Sequence, residues 1–132
     1  MVELLVPISP GELIDKITIL EIKSQRMTDP AKLANVRTEL AMLTHTWSNS
    51  AYAATNISAD WNGLRDVNAQ LWDIEDRIRD KERGALFDAE FIELARAVYV
   101  TNDERAAIKR RINMALGSVL VEEKSYQEYK RR

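Results

Sequence analysis

The chain has 132 residues, of which 45% are hydrophobic and 30% charged, with a net charge of −2 and a sequence pI near 5.5. One domain of this size buries roughly two-thirds of the surface its unfolded form exposes, and so mild a charge excludes a strong field for nucleic acid or anionic lipid. The absence of cysteine excludes disulfides and thiolate chemistry and fits a cytoplasmic setting, while no stretch reaches the ~18 apolar residues of a membrane span.

Val2 to Val6 is a short apolar segment ended by Pro7, and it predicts a strand. Ser9-Pro10-Gly11-Glu12 then predicts a helix start: Ser9 as cap, Pro10 at the first helical position and Glu12 closing a capping box. Helix 1 is expected from about Pro10 to Met27, with Leu13, Ile17, Leu20, Ser24 and Met27 on one stripe. Ile14, Ile19 and Ile22 widen that stripe, so burial on more than one side is expected.

Asp29-Pro30 caps and opens helix 2, which carries Leu33, Val36, Leu40, Leu43 and Trp47. So short a connection predicts an antiparallel hairpin of helices 1 and 2. From Leu40 to Ala59 no Asp, Glu, Lys or Arg occurs. That stretch reads either as a connecting loop packed down for want of charge or as a contact surface for another subunit, since interface centres lose charge.

Ser58 is expected to cap helix 3, whose stripe is Ile57, Trp61, Leu64, Val67, Leu71, Ile74 and Ile78, with Gly84 as its stop. Asp88 caps helix 4, whose stripe runs Phe91, Leu94, Val98, Thr101, Arg105, Ile108, Ile112 and Ala115 to a stop at Gly117. Thr101 to Glu104 resembles a fresh helix start, yet the stripe keeps its phase, which favours one continuous helix. Val119 to Val121 is β-branched and could pair with Val2 to Val6 in a small ribbon, or continue as helix.

Standard active-site patterns are missing. His45 is the only histidine, it falls off the helix 2 stripe, and the glycines lie too far apart for a phosphate loop. No cofactor and no metal site is expected. Lys109-Arg110-Arg111 and Lys130-Arg131-Arg132 read as a solvated helix face and a tail, with acidic neighbours that weaken a nucleic-acid role.

The break in the helix 4 stripe is the one candidate site. Pairing helices 3 and 4 antiparallel places Asn68 opposite Arg105, with Asn102, Lys109 and Asn113 bordering the same region. Cations there need a carboxylate or a ligand anion. Either Arg105 pairs with a carboxylate of helix 1 or helix 3 to fix register, or Asn68, Asn102, Arg105, Lys109 and Asn113 form an anion-binding pocket.

Several segments together carry a resemblance: Pro7-x-Ser9-x-Gly11-Glu12-Leu13-Ile14-Asp15-Lys16-Ile17-Thr18-Ile19-Leu20-Glu21-Ile22-Lys23, Leu71-Trp72-x-Ile74-Glu75-Asp76-x-Ile78-Arg79, Asn102-Asp103-x-Arg105-Ala106-x-Ile108-Lys109 and Glu122-Glu123-Lys124-Ser125-Tyr126. They resemble a bacterial family of small, uncharacterised helical proteins, over nearly the whole chain. The resemblance implies no activity; it suggests a setting in bacterial surface-polysaccharide synthesis. Helix 1 is also superficially similar to the first helix of the all-helical chorismate mutases, without their Arg-rich pattern.

The expectation is a single all-α domain over residues 1–132: two antiparallel helical hairpins forming an irregular four-helix bundle, with a small terminal β ribbon as an option. The leading functional reading is a non-catalytic interaction or scaffold module that self-associates as a homo-oligomer, with a further protein partner unidentified and neither nucleic acid nor membrane. The alternative is a small-molecule anion-binding protein or enzyme centred on Arg105 and Lys109.

Overall fold

The computed structural model describes residues 2–130. It contains α1 (Pro10–Arg26), α2 (Pro30–Ser48), a short 3-10 turn (Ala51–Ala54), α3 (Ser58–Arg83) and α4 (Ala89–Ala115). The all-α class is as expected. No strand occurs among the described residues, so Val2–Val6 and Val119–Val121 are irregular and no ribbon joins them. A lone two-stranded ribbon is marginal in water, and the C-terminal segment is drawn instead toward α4 by Glu122 and Glu123.

Local signals account for the helix ends. Ser9 accepts a hydrogen bond from the Glu12 amide at 3.2 Å, and Asp29 and Asp88 cap α2 and α4. Three details differ from expectation. Glu12 does not close a box, because its carboxylate holds Lys109 on α4 at 2.7 Å. Ser58 lies inside α3, and Asn56 accepts from its amide at 3.0 Å. At the end of α3 the left-handed residue is Ala85 (φ 53°) rather than Gly84. α4 is continuous through Thr101, as the unbroken stripe predicts.

The core is centred on Ile14, Leu64, Val67, Ile108 and Ile112, all buried, with Trp47, Ile57, Trp61, Leu71 and Leu116 packed around them. α1 is the central element, packing against α2, α3 and α4. Gly11 lets α1 approach α4: a Cβ at this position would lie 2.6 Å from the Lys109 carbonyl oxygen. Arg77 and Lys81, late in α3, pair with Glu90 at the start of α4, and Asp60, early in α3, pairs with Arg111 late in α4.

α2 is peripheral. It packs mainly against α1, with a minor contact to the 3-10 turn, and Val36 is its one buried residue. The T-shaped contact of Trp47 with Trp61, 5.5 Å between ring centres, ties its end to α3.

Candidate functional site

Four of the five polar residues singled out in the sequence, Asn68, Arg105, Lys109 and Asn113, meet the N-terminal half of α1, and Asn102 touches only Arg105. Asp15, 1% exposed, is the hub. Arg105 grips it from α4, with Nε donating to Oδ1 at 2.9 Å and Nη2 donating to Oδ2. From α3, the Asn68 amide donates to Asp15 Oδ1 at 2.9 Å and to the Thr18 hydroxyl at 3.0 Å. Asn68 thus stands near Arg105 through a shared carboxylate. Asn102 accepts a long contact from Arg105 Nη1 at 3.5 Å.

The other two residues extend the cluster along α4. Lys109 Nζ donates to Glu12 at 2.7 Å and to Glu122 at 2.8 Å, and lies 3.9 Å from Asp15. Asn113 is buried, and its side-chain oxygen accepts from the Gly11 amide at 2.8 Å. It therefore serves one of the orphan donors of the first turn of α1.

Burial would push the Asp15 carboxyl upward, but the Arg105 guanidinium, the Asn68 amide and the Lys109 charge hold it below the usual carboxylate range. The Asp15 carboxylate raises Arg105 in turn. Burial lowers Lys109, yet hydrogen bonds to Glu12 and Glu122 outweigh that and leave it raised. Lys109 also holds Glu122 below its ordinary value. These are three opposite-charge couplings in which favourable pairing exceeds desolvation. Among the described residues no buried side-chain nitrogen or oxygen lacks a partner.

Two clefts flank the cluster. One of about 410 Å³ is lined by Asn68, Asn102 and Arg105 together with Trp72, Glu75 and Asp76. Two carboxylates thus oppose one guanidinium that is already paired, which disfavours an anion there. The other, about 270 Å³, lies between α4 and the C-terminal segment and includes Lys109, Arg110, Glu122 and Glu123. Among the described residues no group of acids or histidine has the arrangement of a metal site.

For Arg105 the sequence offered a carboxylate of helix 1 or helix 3 without naming Asp15, and it missed Glu12 and Glu122 as the partners of Lys109. A signal for Asp15 existed: Gly11, Asp15, Thr18 and Ile22 follow spacings of four, three and four, and all four are buried. Among the described residues no helix is long and apolar enough to cross a membrane. No curated protein matches the chain, and no solved structure does either. A family model matches residues 4–130, and the chain belongs to that family, a family of unknown function designated DUF6165.

Proposed function

We propose that this chain is a non-catalytic interaction module that self-associates, its helices arranged as two antiparallel hairpins in an irregular bundle. The observation that carries the reading is the exposed, uncharged face of α2. Leu40 to Ala59 contains no Asp, Glu, Lys or Arg, yet Ala41, Met42, Thr44, His45 and Thr46 are exposed rather than packed down. Beside them runs the N-terminal segment, with Leu4 94% and Leu5 87% exposed. Leu4 and Leu5 share a groove of about 650 Å³ with Met42 and Leu43, bordered by Glu3, Lys16 and Glu39.

An apolar patch whose α2 part, from Leu40 to Ser48, carries no Asp, Glu, Lys or Arg suits a second copy of the same chain. In a two-fold interface the patch faces itself, so any charge near the axis would meet its own like. Fully buried interface centres are also depleted of charge because removing an ion from water is costly. An anion-binding role for Arg105 and Lys109 is the weaker reading, because a ligand would have to displace Asp15, Glu12 or Glu122 from cations they already hold.

Light scattering across a concentration range tests this directly. The wild-type protein should grow in mass with concentration, and Met42→Glu or Leu4→Glu should hold it as a monomer that is still folded and unfolds cooperatively. A wild-type chain that stays strictly monomeric would defeat the proposal.

A further inference from the structure

The second cleft beside Lys109 has a peculiar wall: the chain's own tail. After α4, Gly117 takes a left-handed turn (φ 65°) with nothing within 4 Å of where a Cβ would sit. The Ser118 amide closes the helix end on the Asn113 carbonyl at 2.9 Å. Beyond it, among the described residues, no backbone–backbone hydrogen bond holds 119–130. Side chains alone seat this strap on α4. Glu122 reaches Lys109 at 2.8 Å, Glu123 reaches Arg110 at 3.3 Å, and the Tyr129 ring meets Tyr99 edge-on at 5.1 Å.

The receiving side is better built than the strap. Lys109 is buried, and besides Glu122 its ammonium is held by Glu12 at 2.7 Å. The strap itself stays largely in solvent, with Val119 96% and Tyr126 80% exposed. A fixed cation thus faces an extended acidic segment that is hinged at one end and bonded only through side-chain tips.

We propose that the face of α4 from Lys109 to Tyr99 is a binding site for an extended acidic, tyrosine-bearing segment, filled by residues 120–129 of the same chain and exchangeable for the identical segment of a second copy. The strap shows what chemistry the site takes: a carboxylate for Lys109, a second for Arg110 and an aromatic ring for Tyr99. Cis and trans seating make the same contacts, so exchange sacrifices none of them. The inference extends the self-association reading but uses a different surface, so the two fail separately.

The first arm uses a labelled peptide of residues 118–130 and full-length protein carrying Glu122→Gln. With the tethered competitor weakened, the peptide should bind this variant about tenfold or more tighter than wild type, since a short tether supplies roughly millimolar local competition. A peptide with the same Gln should bind clearly less well, whatever the body of the protein does on substitution. No binding to the variant, or equal binding of the two peptides, would overturn the site. The second arm mixes heavy-isotope and unlabelled wild-type chains and joins Lys109 to Glu122 with a zero-length carbodiimide cross-linker. Linked peptides of mixed mass are expected; products of one isotope only would overturn exchange. Met42→Glu should leave the peptide arm unchanged.

Discussion

Arg105 on α4 and Asp15 on α1, ninety residues apart in sequence, form a two-point clasp in which Nε and Nη2 each meet a different carboxylate oxygen. The carboxylate is fully enclosed while the guanidinium keeps 30% of its side-chain surface. Asp15 cannot be rehydrated in place, so the pair behaves asymmetrically. Either single substitution leaves a charge without its main partner. Arg105→Ala should cost about 3 to 5 kcal/mol in denaturant unfolding, the range for breaking a buried pair from one side, and Asp15→Asn should cost less, because the guanidinium it leaves unpaired reaches solvent. Arg105→Leu should cost less than Arg105→Ala, since its aliphatic body fills space beside Leu71, but it still strands Asp15. The double variant Asp15→Asn with Arg105→Leu should be markedly less destabilised than the sum of its singles. Additive losses would mean that the clasp contributes nothing as a pair. Losses under about 0.5 kcal/mol for both Arg105 variants, the range of surface changes, would place Arg105 on the wrong face.

Much of this was legible from the stripes. Leu64, Val67, Ile108 and Ile112 recur at helical spacing and are buried together, and the polar break at Arg105 coincides with the network around Asp15. Two things were not legible. α2 has a stripe from Leu33 to Trp47 that resembles a core face, but the helix lies at the periphery, so only Val36 becomes buried. Periodicity says which side of a helix is apolar, not how many neighbours will cover it, and even Val36 keeps 8% of its surface. The seat of Glu122 was invisible for a different reason. An irregular segment has no period, and its position depends on two ion pairs whose partners lie on α4.

Stability should fall at both ends of the pH scale. Asp15 and Glu122 have folded values below their ordinary ones. Their stabilisation is therefore full above the unfolded carboxylate range, about 4, and is lost as pH drops through the lowered folded values. Lys109 is raised, so its contribution is full below the unfolded lysine value of about 10.4 and is lost as pH climbs through the folded one. Melting temperatures across pH should show a plateau between these edges. Asp15→Asn should flatten the acid edge relative to wild type, and an unchanged acid slope would remove Asp15 as its source.

Gly11 offers a test of how closely α1 and α4 must approach. Its missing Cβ would lie 2.6 Å from the Lys109 carbonyl and 2.9 Å from the Asn113 side-chain oxygen. The first of these is backbone and cannot rotate away. Although Ala ordinarily favours a helix over Gly by about 1 kcal/mol, Gly11→Ala should destabilise, by about 1 to 3 kcal/mol as overpacked sites do. It should also loosen the Gly11 amide's bond to Asn113, visible as faster hydrogen exchange at that amide. A neutral or stabilising Gly11→Ala would show that the helices part more easily than the contact implies.

The end of α3 carries a residue in the wrong chemistry for its backbone. The Leu86 amide donates to the Lys81 carbonyl at 2.9 Å and the Ala85 amide to the Glu82 carbonyl at 3.0 Å, the bonding of a Schellman turn. That turn requires a left-handed residue at position 85, and Ala85 occupies it at φ 53°. The neighbouring Gly84 sits at φ −83°, where any residue is comfortable. A Cβ in the left-handed region costs about 1 to 2 kcal/mol, partly offset by the greater chain entropy glycine loses on folding. Ala85→Gly should therefore stabilise by about 0.5 to 1 kcal/mol in denaturant unfolding. At Gly84 the nearest atoms to an added Cβ are 3.5 Å away, ordinary contact, so Gly84→Ala should also stabilise or be neutral. Exchanging the two residues would give the α3 end the arrangement that its sequence reverses. If Ala85→Gly proves neutral or destabilising while Gly84→Ala stabilises, the strain at position 85 is not there to be relieved.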